Sequence, residues 1–443
     1  MADPLLSEPT SPPSEGQVPE GIQDGLDYER LCYASGQPCT DASFYNAPPD
    51  SASAKPGAVL KVETGTDASR YLLPPGTALS RIIYQSETFN GNPVPVSAFI
   101  LWPYTATPQP DGGYPVVAWA HGTSGILADG APSNQKNLWQ HFLGPYQLAL
   151  QGYVVVATDY AGLGVSKDVS GEPIVHEYVA APAHANDVVY SVLAARAAFP
   201  ELSKSWVATG HSQGGMAVWA VAERQVKKPV DGYLGAVPVS PPTRIIDEPG
   251  ELSAVLGWTI APVIAATDPE FDLEDVLTAE GLQAWSMVRK IRTGMVTSLA
   301  LLMGMLKSGV TLTKPDWKQN KHMVDFQERA QVGRKPFAGP MLVVFGEADP
   351  RLSIDIATKT VEETANAFPK SNLIYVTLPE VMHNGALTAG LKISADWIAD
   401  RFRGVKAEGG YQRSKITPLR PAASYVKEQN WFLAPATDYY HVP

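Results

Sequence analysis

Two rhythms of hydrophobic and polar positions alternate along this chain. Short runs of apolar residues recur between longer stretches in which apolar residues return every three or four positions. A strand covered on both faces produces the first pattern, and a helix packed on one side produces the second. The continuous runs are Tyr114 to Ala120, Gly152 to Tyr160, Trp206 to Gly210, Gly235 to Val239, Pro340 to Phe345 and Asn372 to Leu378. Helical spacing covers His184 to Ala198, Met216 to Gln225, Ile354 to Phe368 and Leu391 to Phe402. Strand and helix therefore take turns, which predicts an α/β fold with right-handed crossovers and a mostly parallel central sheet. Ahead of them, Lys61 to Thr64 and Ser80 to Trp102 alternate and are β-rich, with Asn90-Gly91-Asn92-Pro93 in the middle. That is turn chemistry, so the sheet is expected to begin with an antiparallel hairpin.

The rhythm breaks between Arg244 and Lys335, where several helical patterns follow one another. One of them, Met295 to Leu306, is very apolar and carries methionine at three positions. It reads as the wall of a pliable acyl pocket or as the core of a helical cap. The expected organisation is an N-terminal extension over 1–50, partly disordered, and a core whose first part is 51–243. A helical lid or cap follows over 244–335, then the second part of the core over 336–404. The tail 405–443 holds Tyr411, Tyr425, Trp431, Phe432, Tyr439 and Tyr440, enough aromatic surface to predict that it packs on the body.

Composition changes this picture little. At 443 residues one catalytic unit with an insertion is a better fit than two equal domains. A net charge of −11, from 45 acidic and 34 basic residues, argues against nucleic acid and anionic membrane as partners. No apolar run reaches the roughly 18 residues of a membrane-spanning helix. Met1 to Glu20 is rich in Pro, Ser and Glu, lacks an apolar leader core and is expected to be disordered. Only two cysteines occur, Cys32 and Cys39, with a turn-forming stretch between them. A small disulfide loop is expected there, two free thiols being the alternative, and two cysteines cannot complete a structural zinc site. The disulfide points to a secreted protein whose leader is absent from this sequence; a cytoplasmic protein is the alternative.

The chemistry centres on Gly210-His211-Ser212-Gln213-Gly214. An apolar run enters it and a helical pattern leaves it, which is the strand, sharp turn and helix of a nucleophile elbow. Side chains two residues either side of the serine would collide in such a turn, so glycine is needed at 210 and 214. Ser212 is the predicted nucleophile, and the backbone N–H of Gln213 faces the same point. The run Tyr114 to Ala120 ends in His121-Gly122-Thr123, from which a loop can aim a second backbone N–H at the elbow. That donor is assigned to Thr123, while His121 is expected to brace the loop. Asp159 precedes the serine and is expected to anchor a loop.

The acid and base come late in the chain. Pro340 to Gly346 runs into Glu347-Ala348-Asp349, and Asn372 to Leu378 runs into Pro379-Glu380-Val381-Met382-His383. Both loops leave the sheet at the same edge as Ser212. His383 is the predicted base and Asp349 the carboxylate that orients it, with Glu347 as the competing acid. Of the remaining histidines, His211 is expected to point away from the serine, and His141, His176, His184, His322 and His441 have no matching acid or position. The order Ser, Asp, His is the one the α/β-hydrolase fold uses.

These residues resemble the fungal and bacterial secretory lipases of the Candida lipase A type, over roughly 80–400. The likeness rests on His121-Gly122-Thr123, on Ala131-Pro132-Ser133, on the stretch from Gly152 to Gly164, on the Ser212 elbow, on the helical insertion and on His383. It implies an α/β-hydrolase fold with a helical lid, a Ser-Asp-His triad and action on carboxylic esters, sometimes with acyl transfer. The chain departs from the pattern at Gly130, where a cysteine is expected before Ala-Pro-Ser, and in its Gly-His-Ser-Gln-Gly-Gly elbow, which is closer to general esterases. The expected function is a serine carboxylic-ester hydrolase acting on a small-molecule ester, with no metal or cofactor required. An acyltransferase with the same triad and a non-catalytic hydrolase-fold binding protein are the rivals, and the triad alone does not select ester over amide.

Overall fold

The computed structural model describes residues 20–427 except Glu251 and Thr293. The strands are β1 (Val59–Glu63), β2 (Ala78–Glu87), β3 (Pro93–Trp102), β4 (Tyr114–Ala120), β5 (Val154–Thr158), β6 (Leu202–His211), β7 (Tyr233–Val239), β8 (Met341–Gly346), β9 (Leu373–Leu378) and β10 (Tyr411–Lys415). They form one sheet in the order β1-β2-β3-β5-β4-β6-β7-β8-β9-β10. From β5 to β10 every neighbouring pair is parallel, and β1, β2, β3 and β5 pair antiparallel. The expected hairpin is β2 and β3, in register from Ala78↔Trp102 to Glu87↔Pro93.

The helices are α1 (Glu20–Cys32), α2 (Pro145–Leu150), α3 (Ala181–Ala198), α4 (Gln213–Lys227), α5 (Leu252–Thr267), α6 (Ala279–Ile291), α7 (Met295–Lys307), α8 (Lys321–Ala330), α9 (Ile354–Ala367), α10 (Gly385–Ala389) and α11 (Leu391–Phe402). Helices cover both faces of the sheet, and the strands show why their runs are unbroken. Along β4, Val116, Ala118 and Ala120 enter the core shared with α3, α4 and α9. Val117 and Trp119 enter the second core, shared with α2, α10 and α11. With both faces buried, no position in such a strand is left for a polar residue.

Helices α5 to α8 lie in the chain between β7 and β8. Their own core is aromatic: Trp258 and Trp285 meet edge to face at 5.5 Å, and the Trp258 indole donates to Gly281 O at 2.8 Å. In α7, Leu301 and Leu302 are buried in the main core, while Met295, Met303 and Met305 are half-buried. The apolar run thus packs its buried leucines into the main core and leaves its methionines at the margin. No helix among the described residues is long and apolar enough to cross a membrane.

One expectation changes near the N-terminus, and the described parts of both termini are ordered. Within the expected N-terminal extension, residues 20–32 form α1, which packs on α7. Its buried Glu29 carboxylate accepts from Gly294 N–H and Thr297 N–H, both at 2.9 Å, so it neutralises the N-terminal turn of α7. The expected disulfide is absent: Cys32 and Cys39 are free. Because α1 runs to Cys32, that thiol sits on a helix end and is half-buried, whereas Cys39 is buried. The Cys39 N–H donates to Asp129 Oδ1 at 2.7 Å, which fixes the backbone at that cysteine. At the other end, β10 extends the sheet beyond β9, and Tyr425 is largely exposed. Trp431, Phe432, Tyr439, Tyr440 and His441, like Met1 to Pro19, lie outside the described residues.

Candidate active site

All the parallel strands deliver their following loops to one edge of the sheet, and the candidate residues arrive there from four of them. β6 ends at His211, and Ser212 takes φ 56° and ψ −120° before α4 begins at Gln213. A non-glycine residue there is strained by about 1 to 3 kcal/mol. The turn is held from outside by Ser212 N–H donating to Val239 O at 2.9 Å. The glycines are required by contact: a Cβ on Gly214 would lie 1.8 Å from Ala120 O, and one on Gly210 would lie 2.5 Å from Gly214 O. The elbow can therefore approach β4 only with hydrogen in both places.

Gln213 opens α4, so its backbone N–H has no carbonyl a turn earlier within the helix. Its side chain is tied elsewhere: Gln213 Nε2 lies 3.1 Å from His176 Nε2 and 3.1 Å from His184 Nε2. The two rings accept while His176 donates from Nδ1 to Ala161 O at 2.9 Å. Burial pushes His176 down to about 4 and His184 well below the ordinary histidine range, so both remain neutral acceptors. These histidines, which the sequence left without a role, hold the residue after Ser212 by its side chain.

The loop after β4 faces the elbow. Gly122 N–H is occupied by Gln140 Oε1 at 2.8 Å, so the next backbone donor along the loop is that of Thr123. Thr123 is half-buried and its hydroxyl pairs with Tyr178 OH at 2.9 Å. His121 braces the loop as expected, with Nδ1 2.8 Å from Gly122 O and Nε2 3.3 Å from Asp159 O. Its burial lowers its pKa to about 4. Asp159 is an anchor: Ser97 Oγ donates to it at 2.6 Å and Ser133 N–H at 2.8 Å, with the Ser133 hydroxyl as a third donor. The insertion touches this loop directly, Met295 N–H donating to Ser124 O at 3.2 Å.

Past β8 and β9 the candidate acid and base meet. His383 Nδ1 donates to Asp349 Oδ2 at 2.6 Å, with the Asp349 side chain fully buried. Asp349 Oδ1 accepts from Arg351 N–H at 2.8 Å and from Leu352 N–H at 3.1 Å. The competing acid is engaged on the far side: Glu347 accepts from Thr377 Oγ1 at 2.8 Å and from Lys415 Nζ at 2.7 Å. One expectation is corrected here. His322 does have a carboxylate, Asp268 Oδ2 at 2.7 Å from its Nδ1, and this pair lies within the insertion.

The strand order, the elbow and the His-Asp contact on the loops past β8 and β9 compose one architecture. The chain has the α/β-hydrolase fold. Among solved structures, Candida antarctica lipase A in its closed state has this fold at a TM-score of 0.67 and 15% identity, covering 84% of this chain and 88% of that one. The rice cell wall degrading esterase LipA from Xanthomonas oryzae superposes at 0.61 with 17% identity, covering 79% and 98%. A putative hydrolase from Legionella pneumophila superposes at 0.61 with 16% identity, covering 79% and 98%. No family model and no curated relative matches the chain. At these identities the likeness establishes the α/β-hydrolase fold and leaves the chemistry to the chain's own residues.

Proposed function

We propose that the chain hydrolyses carboxylic esters of a small-molecule substrate through an acyl-enzyme on Ser212. The observation that carries this reading is the buried 2.6 Å contact between His383 Nδ1 and Asp349, on the same sheet edge as the strained serine turn. A carboxylate is acceptor-only, so it keeps the proton on Nδ1 and leaves Nε2 free to act as a base. His383 takes the Ser212 proton as the hydroxyl attacks the ester carbonyl. The N–H groups of Gln213 and Thr123 receive the developing oxyanion, each donor contributing about 3 kcal/mol in sites of this kind. His383 then protonates the leaving alcohol and activates water against the acyl-enzyme. The helices of 244–335 form a cap over this edge, tied to it by the Met295 to Ser124 hydrogen bond.

The test is a series of p-nitrophenyl esters from acetyl to palmitoyl, with wild type and Ser212→Ala side by side. Turnover that vanishes in the variant supports the reading, and full turnover by a clean Ser212→Ala preparation overturns it. Rates peaking at long chains assign an acyl site to the apolar cap, and a peak at acetyl or butyryl assigns a small acyl pocket.

A further inference from the structure

A chain of hydrogen bonds runs behind the candidate site and joins its two halves. At one end, Gly122 N–H donates to Gln140 Oε1 at 2.8 Å. The other end of the same amide, Gln140 Nε2, donates to His211 Nδ1 at 3.1 Å. His211 Nε2 then donates to the backbone carbonyl of His383 at 3.1 Å. Every proton in this chain is set by its two ends. A backbone N–H can only donate and a carbonyl can only accept, so the Gln140 amide has one possible orientation and His211 one possible tautomer.

The surroundings hold the chain in place. Gln140, His211 and His383 are all buried, and the rings of His211 and His383 lie 4.7 Å apart at 51°. There is no spare room: a Cβ on Gly122 would come within 3.3 Å of both Gln140 Nε2 and His211 Nδ1. Gln140 is presented by a strained segment in which Leu138, Trp139 and His141 take φ of 50°, 66° and 30°. Such backbone persists only where its surroundings over-determine it. The same segment grips the other end of the Gly122 peptide, because Trp139 Nε1 donates to Gly122 O at 3.1 Å. Burial, reinforced by His383 nearby, keeps His211 well below the ordinary histidine range, so it works as a neutral connector.

We propose that Gln140 and His211 are positioning residues that set the distance between the oxyanion loop at Gly122-Thr123 and the base at His383, acting through the residue next to the nucleophile. This rests on the reading of Ser212, His383 and Asp349 given above. Neither side chain meets substrate. Each holds a backbone group, Gly122 N–H or His383 O, whose displacement would move an oxyanion donor or the imidazole, and a misplacement near 1 Å costs about 100-fold in rate.

The experiment compares His211→Leu, Gln140→Leu, the double variant and His211→Gln on one p-nitrophenyl ester. Active sites are counted with an organophosphate, so that kcat is expressed per reactive serine and a poorly folded fraction does not enter. Each leucine variant is expected to lose roughly 10- to 100-fold in kcat with KM within about 2-fold of wild type. The double variant should lose little more than the worse single one, because both cut the same chain. His211→Gln, which keeps an amide donor for His383 O, should recover most of the loss. Equal losses for His211→Leu and His211→Gln would mean that volume and not the hydrogen bond matters, and kcat per site near wild type in both leucine variants overturns the proposal outright. A wild-type protein that binds no organophosphate sinks the serine-hydrolase reading itself, and this proposal with it. Labelled wild type with unaffected variants sinks only the positioning role.

Discussion

Among the described residues, two histidine–carboxylate pairs look alike in isolation. His383 Nδ1 lies 2.6 Å from Asp349 in the core, and His322 Nδ1 lies 2.7 Å from Asp268 in the insertion. Their surroundings differ. The Asp349 side chain is 0% exposed and takes two further backbone donors on its second oxygen, whereas Asp268 is 30% exposed and takes one, Glu270 N–H. Asp268 follows the end of α5 and His322 lies in the first turn of α8, so their contact staples two cap helices. His383 instead occupies a loop past a strand, beside the elbow at Ser212. A histidine–carboxylate contact orients an imidazole wherever it occurs. It becomes chemistry only where the second nitrogen meets a nucleophile, and the sheet edge decides that.

The sharpest way to break this comparison is to delete both imidazoles. His383→Ala, like Ser212→Ala, is expected to lower kcat by about 10⁴- to 10⁶-fold, as removal of a triad member does. His322→Ala should leave kcat per titrated site within about 2-fold, since it touches no reacting group. The carboxylates sharpen it further. Asp349→Asn should cost about 10⁴-fold in kcat by favouring the wrong tautomer, and Asp268→Asn should cost none. The smallest effect belongs to stability: Asp268→Asn should lose about 1 kcal/mol in urea unfolding, the scale of one hydrogen bond. That loss carries a pH signature. The hydrogen bond from His322, with one from Glu270 N–H, holds Asp268 below its ordinary pKa. Its contribution is therefore fully present above the ordinary carboxylate value and disappears as pH falls through the lowered one. The stability gap between wild type and Asp268→Asn should close in strong acid, and a gap that persists there would show that packing accounts for it.

Much of this fold was legible because its signals are local. The unbroken run Val116 to Ala120 announces a strand covered on both faces, and Asn90 to Pro93 announces a hairpin. Gly210 and Gly214 flank a serine whose turn leaves room for nothing larger, so the elbow could be read from spacing alone. Other elements have no such signal. β10 is a polar edge strand, Tyr-Gln-Arg-Ser-Lys, which becomes a strand only because β9 offers it a partner. Cys32 and Cys39 look like a disulfide in one dimension, yet both are free thiols, the first at the end of α1. Asp268 and His322 lie too far apart in the chain for spacing to pair them.

By itself, then, the amino-acid order determined the class of fold, the turn at Ser212 and the loops past late strands that carry Asp349 and His383. Periodicity, turn chemistry and steric exclusion act within a few residues and need no partner. The tertiary structure alone decided that Asp349 and not Glu347 meets His383, that Gly122 N–H is taken by Gln140, and that His211 bonds the His383 carbonyl. Each of those outcomes depends on side chains from separate strands reaching one point, and a hydrogen bond across such distances is fixed only once the sheet has brought its edges together.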